Sequence, residues 1–176
     1  MFGQKNIARI AALALLAAAL AGCARQMEPA GTPGGKPVAA VTIMPQKTFV
    51  EAVCGGLVEV VVMVPPGASP ETYEPAPAQM QNLGAAAVYF AIGMPAEENF
   101  ILGGIGENTK LVRLQNEVNE TYAPLTFENG EADLHIWLSP RRVKVMVGAI
   151  AREMGALYPE HAETFFANAK AYGERL

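Results

Sequence analysis

Two short segments hold the side chains that could do chemistry. The first is Val64-Pro65-Pro66-Gly67-Ala68-Ser69-Pro70-Glu71-Thr72-Tyr73-Glu74-Pro75. Prolines before Glu71 and after Glu74 stiffen it, and Gly67 permits a turn that a side chain would resist. A rigid loop of this kind can present a carboxylate to a ligand. Residue types alone favour the plainer alternative, a turn carrying two solvated glutamates. The second segment is Ala132-Asp133-Leu134-His135-Ile136-Trp137-Leu138-Ser139-Pro140. His135 lies among apolar residues just before a helix, so partial burial is expected. A partly buried histidine is more often hydrogen-bonded structure than a metal ligand. His161 reads as a solvated surface residue. Cys54, followed by Gly55-Gly56 among apolar neighbours, reads as a small buried hydrophobe.

Other chemistry is not signalled. The sequence has no Gly-rich phosphate loop, no G-x-S-x-G, no Cys/His cluster of zinc-finger spacing and no H-E-x-x-H. Cys54 with two distant histidines is a poor signature for thiol catalysis, and a metal-dependent hydrolase needs more ligands and a general base. An enzyme is not expected.

The elements that must position the two loops come from the apolar pattern. Runs at Val38–Met44, Leu57–Val64, Ala86–Ile92 and Lys110–Leu114 have strand length. The first three are nearly continuous in Val, Ile, Ala, Tyr and Phe, which predicts strands buried on both faces. Helix-compatible segments lie between them at about 46–54, 76–84 and 95–102. This alternation predicts an α/β fold: a parallel sheet flanked by helices. Ser139 can cap a further helix, with Pro140 at its first position and an apolar stripe of Val143, Met146, Val147, Ile150, Met154 and Leu157. From Pro159 another helical pattern (Ala162, Phe165, Phe166, Ala169, Tyr172) is still running at Leu176, so the chain is expected to be part of a longer protein. Ligands of open parallel sheets bind outside the carboxyl ends of the strands, which draws attention to loops 65–76 and 130–139.

The amino terminus reads as an address. Lys5 and Arg9 precede an apolar run from Ile10 to Leu20, too short to span a bilayer. Leu20-Ala21-Gly22-Cys23 follows and resembles the lipobox of bacterial lipoproteins, which implies cleavage after residue 22 and lipid on Cys23. Residues 24–37 are Gly-, Pro- and Ala-rich with no apolar period and read as a flexible tether holding the body beside a membrane. The chain has 176 residues and a net charge of −4. Residues 1–22 contribute Lys5 and Arg9 and no acid, so the remainder is more acidic still, which argues against nucleic acid as a partner. With Cys23 assigned to lipid, Cys54 is left alone and a disulfide framework is excluded.

The run from Leu57 through P-P-G-A-S-P-E-T-Y-E-P to Pro75 resembles the zinc/manganese solute-binding family of ABC importers, whose corresponding loop reads P-P-G-A-x-P-H-x-Y-E-P. The run Asp133-Leu-His-Ile-Trp-Leu-Ser-Pro140 is similar to that family's D-P-H-I-W-L-x-P, and the order and separation of the two motifs fit. The resemblance implies one lobe of a two-lobe receptor, spanning residues 38–158. It also implies that residues 159–176 begin a long interlobe helix, and that a second lobe is absent from this sequence. Glu71 and His135 are the implied metal ligands, holding Zn²⁺, with Mn²⁺ or Fe²⁺ possible, as transported cargo. The implied partners are an ABC permease and, through Cys23, the membrane, with the protein itself monomeric. Two departures stand out: Glu71 replaces a histidine, and Leu134 replaces a proline. Glu71 keeps alive a receptor of the same architecture with a non-metal cargo; a surface adhesin lipoprotein is the other alternative.

Overall fold

The computed structural model describes residues 35–176. The leader expected at 1–22, the lipidation expected at Cys23 and nearly all of the expected tether lie outside the described residues. Four strands, β1 (Val38–Val41), β2 (Glu59–Val62), β3 (Val88–Ala91) and β4 (Lys110–Arg113), form one sheet in the order β2-β1-β3-β4. Every pairing is parallel, with Val41 opposite both Val62 and Phe90. The helices are α1 (Met44–Cys54), α2 (Pro77–Gly84), α3 (Leu114–Thr121), α4 (Pro140–Leu157) and α5 (Ala162–Arg175). This is the α/β architecture that the alternating pattern predicts. No helix among the described residues is long and apolar enough to cross a membrane.

Strand geometry divides the core in two, because successive side chains point to opposite faces. Ala39, Val41, Val88 and Phe90 pack with Phe49, Val50 and Val53 of α1, Val147 and Ile150 of α4, and Phe165 of α5. Val38, Ala40, Tyr89 and Ala91 pack on the other face with Leu83 of α2 and Ile101. Central β1 and β3 are buried on both faces, as continuous apolar runs require. β2 departs from the expectation: it lies at an edge of the sheet, Glu59 is exposed, and Val60–Val62 are only half-buried. Cys54 is buried in the core, and desolvation pushes its thiol up to about 12. That suits a packing residue and not a nucleophile.

Three local expectations need correction. The segment expected as a helix over 95–102 starts as an α turn at Pro95 and Ala96 but continues as a π-helical turn, Glu97–Ile101; at its start Ala96 N–H bonds Pro70 O and Glu97 N–H bonds Met94 O. Ser139 precedes α4 and Pro140 opens it, but the Ser139 hydroxyl makes no capping bond; its backbone carbonyl accepts from Arg142 and Val143. The stripe of α4 is buried at Val143, Met146, Val147, Ile150 and Met154, with Leu157 half-buried, whereas Phe166 of α5 is 52% exposed. Helix α3 has no counterpart in the sequence reading, since only Leu114 and Val118 mark its inner face.

Direction of travel places both chemical loops. α1 leaves the carboxyl edge of the sheet directly after β1. Asn168 Nδ2 of α5 bonds Val53 O at the far end of α1 (2.9 Å), and the Tyr172 ring lies 6.3 Å from that of Phe49. α5 therefore climbs back toward the carboxyl edge. α4 runs antiparallel to α5: a Cβ on Gly155 would lie 3.2 Å from Ala162, and one on Gly173 would lie 3.8 Å from Lys144. Hence α4 starts at the carboxyl edge, and the segment ending in Ser139 lies on the same side as the loop that follows β2.

Candidate metal centre

The loop carrying Glu71 is held by its own backbone. Ala68 N–H bonds Pro65 O, Gly67 supplies a φ of +86°, and Thr72 and Tyr73 N–H both bond Ser69 O. Glu71 N–H reaches Ser69 Oγ at 3.3 Å, so Glu71 sits on a serine-closed turn with its side chain exposed. Gln79, in the first turn of α2, closes the loop. Its Oε1 accepts from Tyr73 Oη (2.6 Å) and Ala76 N–H (3.0 Å), and its Nε2 donates to Met63 O (3.0 Å). A further bond joins the loop to the turn that follows β3, from Ala96 N–H to Pro70 O at 3.2 Å.

The His135 segment begins with a small hairpin. Thr126 bridges Ala132, Phe127 N–H bonds Glu131 O, and Gly130 turns the chain with φ +83°. Asp133 N–H bonds Leu125 O, which fixes the carboxylate's starting point. Asp133 Oδ1 then accepts the His135 backbone N–H at 3.0 Å and lies 2.7 Å from His135 Nδ1. The backbone bond from His135, then the contact with its ring, hold the Asp133 carboxyl below its ordinary value. An anionic partner at Nδ1 places the ring proton there and leaves the lone pair of Nε2 free. The His135 side chain is 44% exposed and its ring lies 5.0 Å from that of Trp137, so the free nitrogen is oriented but open to solvent.

Both loops rest on one core. Ala68 and Tyr73 from the first and Leu134 and Trp137 from the second pack against the same buried cluster. Glu71 and His135 are thus carried to the same edge by separate elements, without a hydrogen bond or ion pair between them. Among the described residues no group of three or more His, Cys, Asp or Glu gathers at one point. His161, by contrast, sits at the link between α4 and α5, beside Glu160 and Phe165. What the sequence reading left unassigned is the orienting acid. Asp133 lies two residues before His135, and its chemistry as a hydrogen-bond acceptor for Nδ1 was the available signal.

Comparisons with known proteins show what the chain as a whole is similar to. The high-affinity zinc uptake system protein ZnuA of Brucella abortus is 51% identical over 47 residues, which cover 27% of this chain and 14% of that protein. The manganese-binding lipoprotein MntA of Halalkalibacterium halodurans is 34% identical over 127 residues, covering 72% of this chain and 41% of that protein. A crystal structure of ZnuA superimposes with a TM-score of 0.71 at 36% identity, covering 80% of this chain and 54% of that one. The chain thus spans about half of the solved relative and less of the other two. Residues 39–176 match the family described as zinc-uptake complex component A, periplasmic, and this chain belongs to that family.

Proposed function

We propose that this chain is the first lobe of an extracytoplasmic receptor that captures a divalent metal ion as cargo and hands it to an ABC importer. The observation that carries the reading is the Asp133–His135 pair. It presents an oriented, open Nε2 on the edge of the sheet that also carries Glu71. Glu71 supplies a hard oxygen donor and His135 a borderline nitrogen, a pair that suits Zn²⁺ and also Mn²⁺ or Fe²⁺. The names of the two curated relatives, one a zinc and one a manganese protein, support that range. Two donors fill half of a four-coordinate site, so the remaining ligands belong to a second lobe, and α5 is the start of the helix that leads to it. The body is residues 38–158. Residues 1–22 are a cleaved leader, and lipid on Cys23 with a tether to residue 37 keeps the receptor beside its permease. It acts as a monomer, and no covalent chemistry is involved.

The test is calorimetric titration of the full-length protein with Zn²⁺ and Mn²⁺. Binding at 1:1 that is lost in Glu71→Ala and in His135→Ala supports the site; tight 1:1 binding that survives both substitutions together overturns it.

A further inference from the structure

Glu97 has no part in the site described above, yet among the described residues it is the one carboxylate shut off from solvent, at 0% exposure. A carboxylate in a dry site is costly unless donors satisfy it. Here they do. Oε1 accepts from the Thr42 hydroxyl and from Ile92 N–H (2.8 Å), and Oε2 accepts from Gly93 N–H (2.8 Å). Thr42 Oγ1 is also 2.8 Å from Tyr89 Oη. Gln46 supports the same place, accepting from Thr42 and Ile43 N–H and donating to Phe90 O. One side chain therefore ties the carboxyl ends of β1 and β3, the two strands between which the order β2-β1-β3-β4 changes direction. Ligands of open parallel sheets bind at that point.

The bond that matters most lies one residue back. Ala96, immediately before Glu97, gives its N–H to the carbonyl of Pro70, immediately before Glu71. Glu97 itself opens a π-helical turn, a form that concentrates at functional sites. A role confined to satisfying strand ends explains the burial of Glu97. It leaves unexplained why the same turn reaches across to the ligand loop.

We propose that Glu97 is a positioning residue for the Glu71 arm of the metal site: by joining the ends of β1 and β3 it fixes the turn against which the Pro70 carbonyl is held, and so fixes where Glu71 projects. This rests on the metal-capture reading above. The inference is tested in the full-length protein with Glu97→Gln, which keeps the shape and one acceptor oxygen but turns an amide N–H₂ toward Gly93 N–H. Zn²⁺ affinity is read by calorimetry and the ligand field by Co²⁺ absorption. The expected result is a loss of about tenfold in Zn²⁺ affinity, with a changed Co²⁺ spectrum. In a Glu71→Ala background, Glu97→Gln is expected to cost nothing further, because the two act through one arm. Thr42→Val, which removes one donor, gives the same readout should Glu97→Gln fail to fold. Unchanged affinity and spectrum in the variant, or losses that simply add to those of Glu71→Ala, overturn the inference and leave the metal reading standing. Failure of the unsubstituted protein to bind Zn²⁺ or Co²⁺ overturns both.

Discussion

Asp133 Oδ1 lies 2.7 Å from His135 Nδ1 and 3.0 Å from the His135 backbone nitrogen. One oxygen thus grips both ends of the same residue, fixing the direction of the imidazole as well as its tautomer. Such a partner raises the basicity of the open nitrogen and prevents the ring from turning away. Replacing Asp133 by Asn is expected to weaken metal binding by the full-length protein about 10- to 100-fold. The thermal transition should move little, since the carboxylate is partly exposed. Calorimetry and a melting curve on the same sample check both statements; a variant that binds as tightly as its parent sinks the assignment of His135.

The identity of the first donor sets a second expectation. As the proposed ligand, Glu71 would be a hard anionic donor, and hard donors favour Mn²⁺ and Fe²⁺ relative to Zn²⁺. Glu71→His should raise the ratio of Zn²⁺ to Mn²⁺ affinity, on the order of tenfold. Competition between the two ions at fixed protein concentration reads that ratio directly. No change would mean that Glu71 does not touch the metal.

Ser139 offers a test of cap chemistry free of any metal. An N-cap serine that bonds the helix is worth about 1 kcal/mol. Here the hydroxyl makes no such bond and the backbone carbonyl does the work. Ser139→Ala is therefore expected to change unfolding free energy by less than about 0.5 kcal/mol, measured by urea denaturation. A loss near 1 kcal/mol would show the hydroxyl capping in solution.

Those cases show what could be read from sequence and what could not. β1, β3 and α4 were legible because a continuous apolar run or a helical stripe reflects burial directly. β2 was not fully legible, since the same run of valines serves an edge strand when the partner on one side is missing. The candidate ligand loops stand out through motif resemblance, not residue type: Glu71 and His135 taken singly fit a solvated turn and a structural histidine. Glu97 was invisible for a different reason. Acids in a segment of Gly, Pro and Ala read as solvated, and nothing local reveals that the Thr42 hydroxyl and two backbone N–H groups from other positions converge on this one.

Burial gives Glu97 a pH signature. Desolvation raises its carboxyl above the ordinary value of 4.5, outweighing the Thr42, Ile92 and Gly93 donors that pull the other way. A group whose folded value is raised stabilises the fold below its unfolded value, and that contribution is lost as pH rises through the folded value. The stability difference between the parent and Glu97→Gln should therefore shrink as pH rises from about 4.5. Urea midpoints of both proteins across that range check it, and a difference that grows with pH contradicts the raised value.

The all-parallel pairing has a kinetic consequence. Val41 meets Val62 and Phe90, and no two strands are joined by a hairpin, so no part of the sheet can nucleate locally. Each pairing waits for the intervening helix to form and pack, which places this chain among the slower-folding small domains. During that interval the outer strands are open templates for another chain. Glu59 at the start of β2 and Lys110 at the start of β4 are both exposed, so each margin begins with a charge. They make the unfinished sheet a poor seed for aggregation while the centre closes.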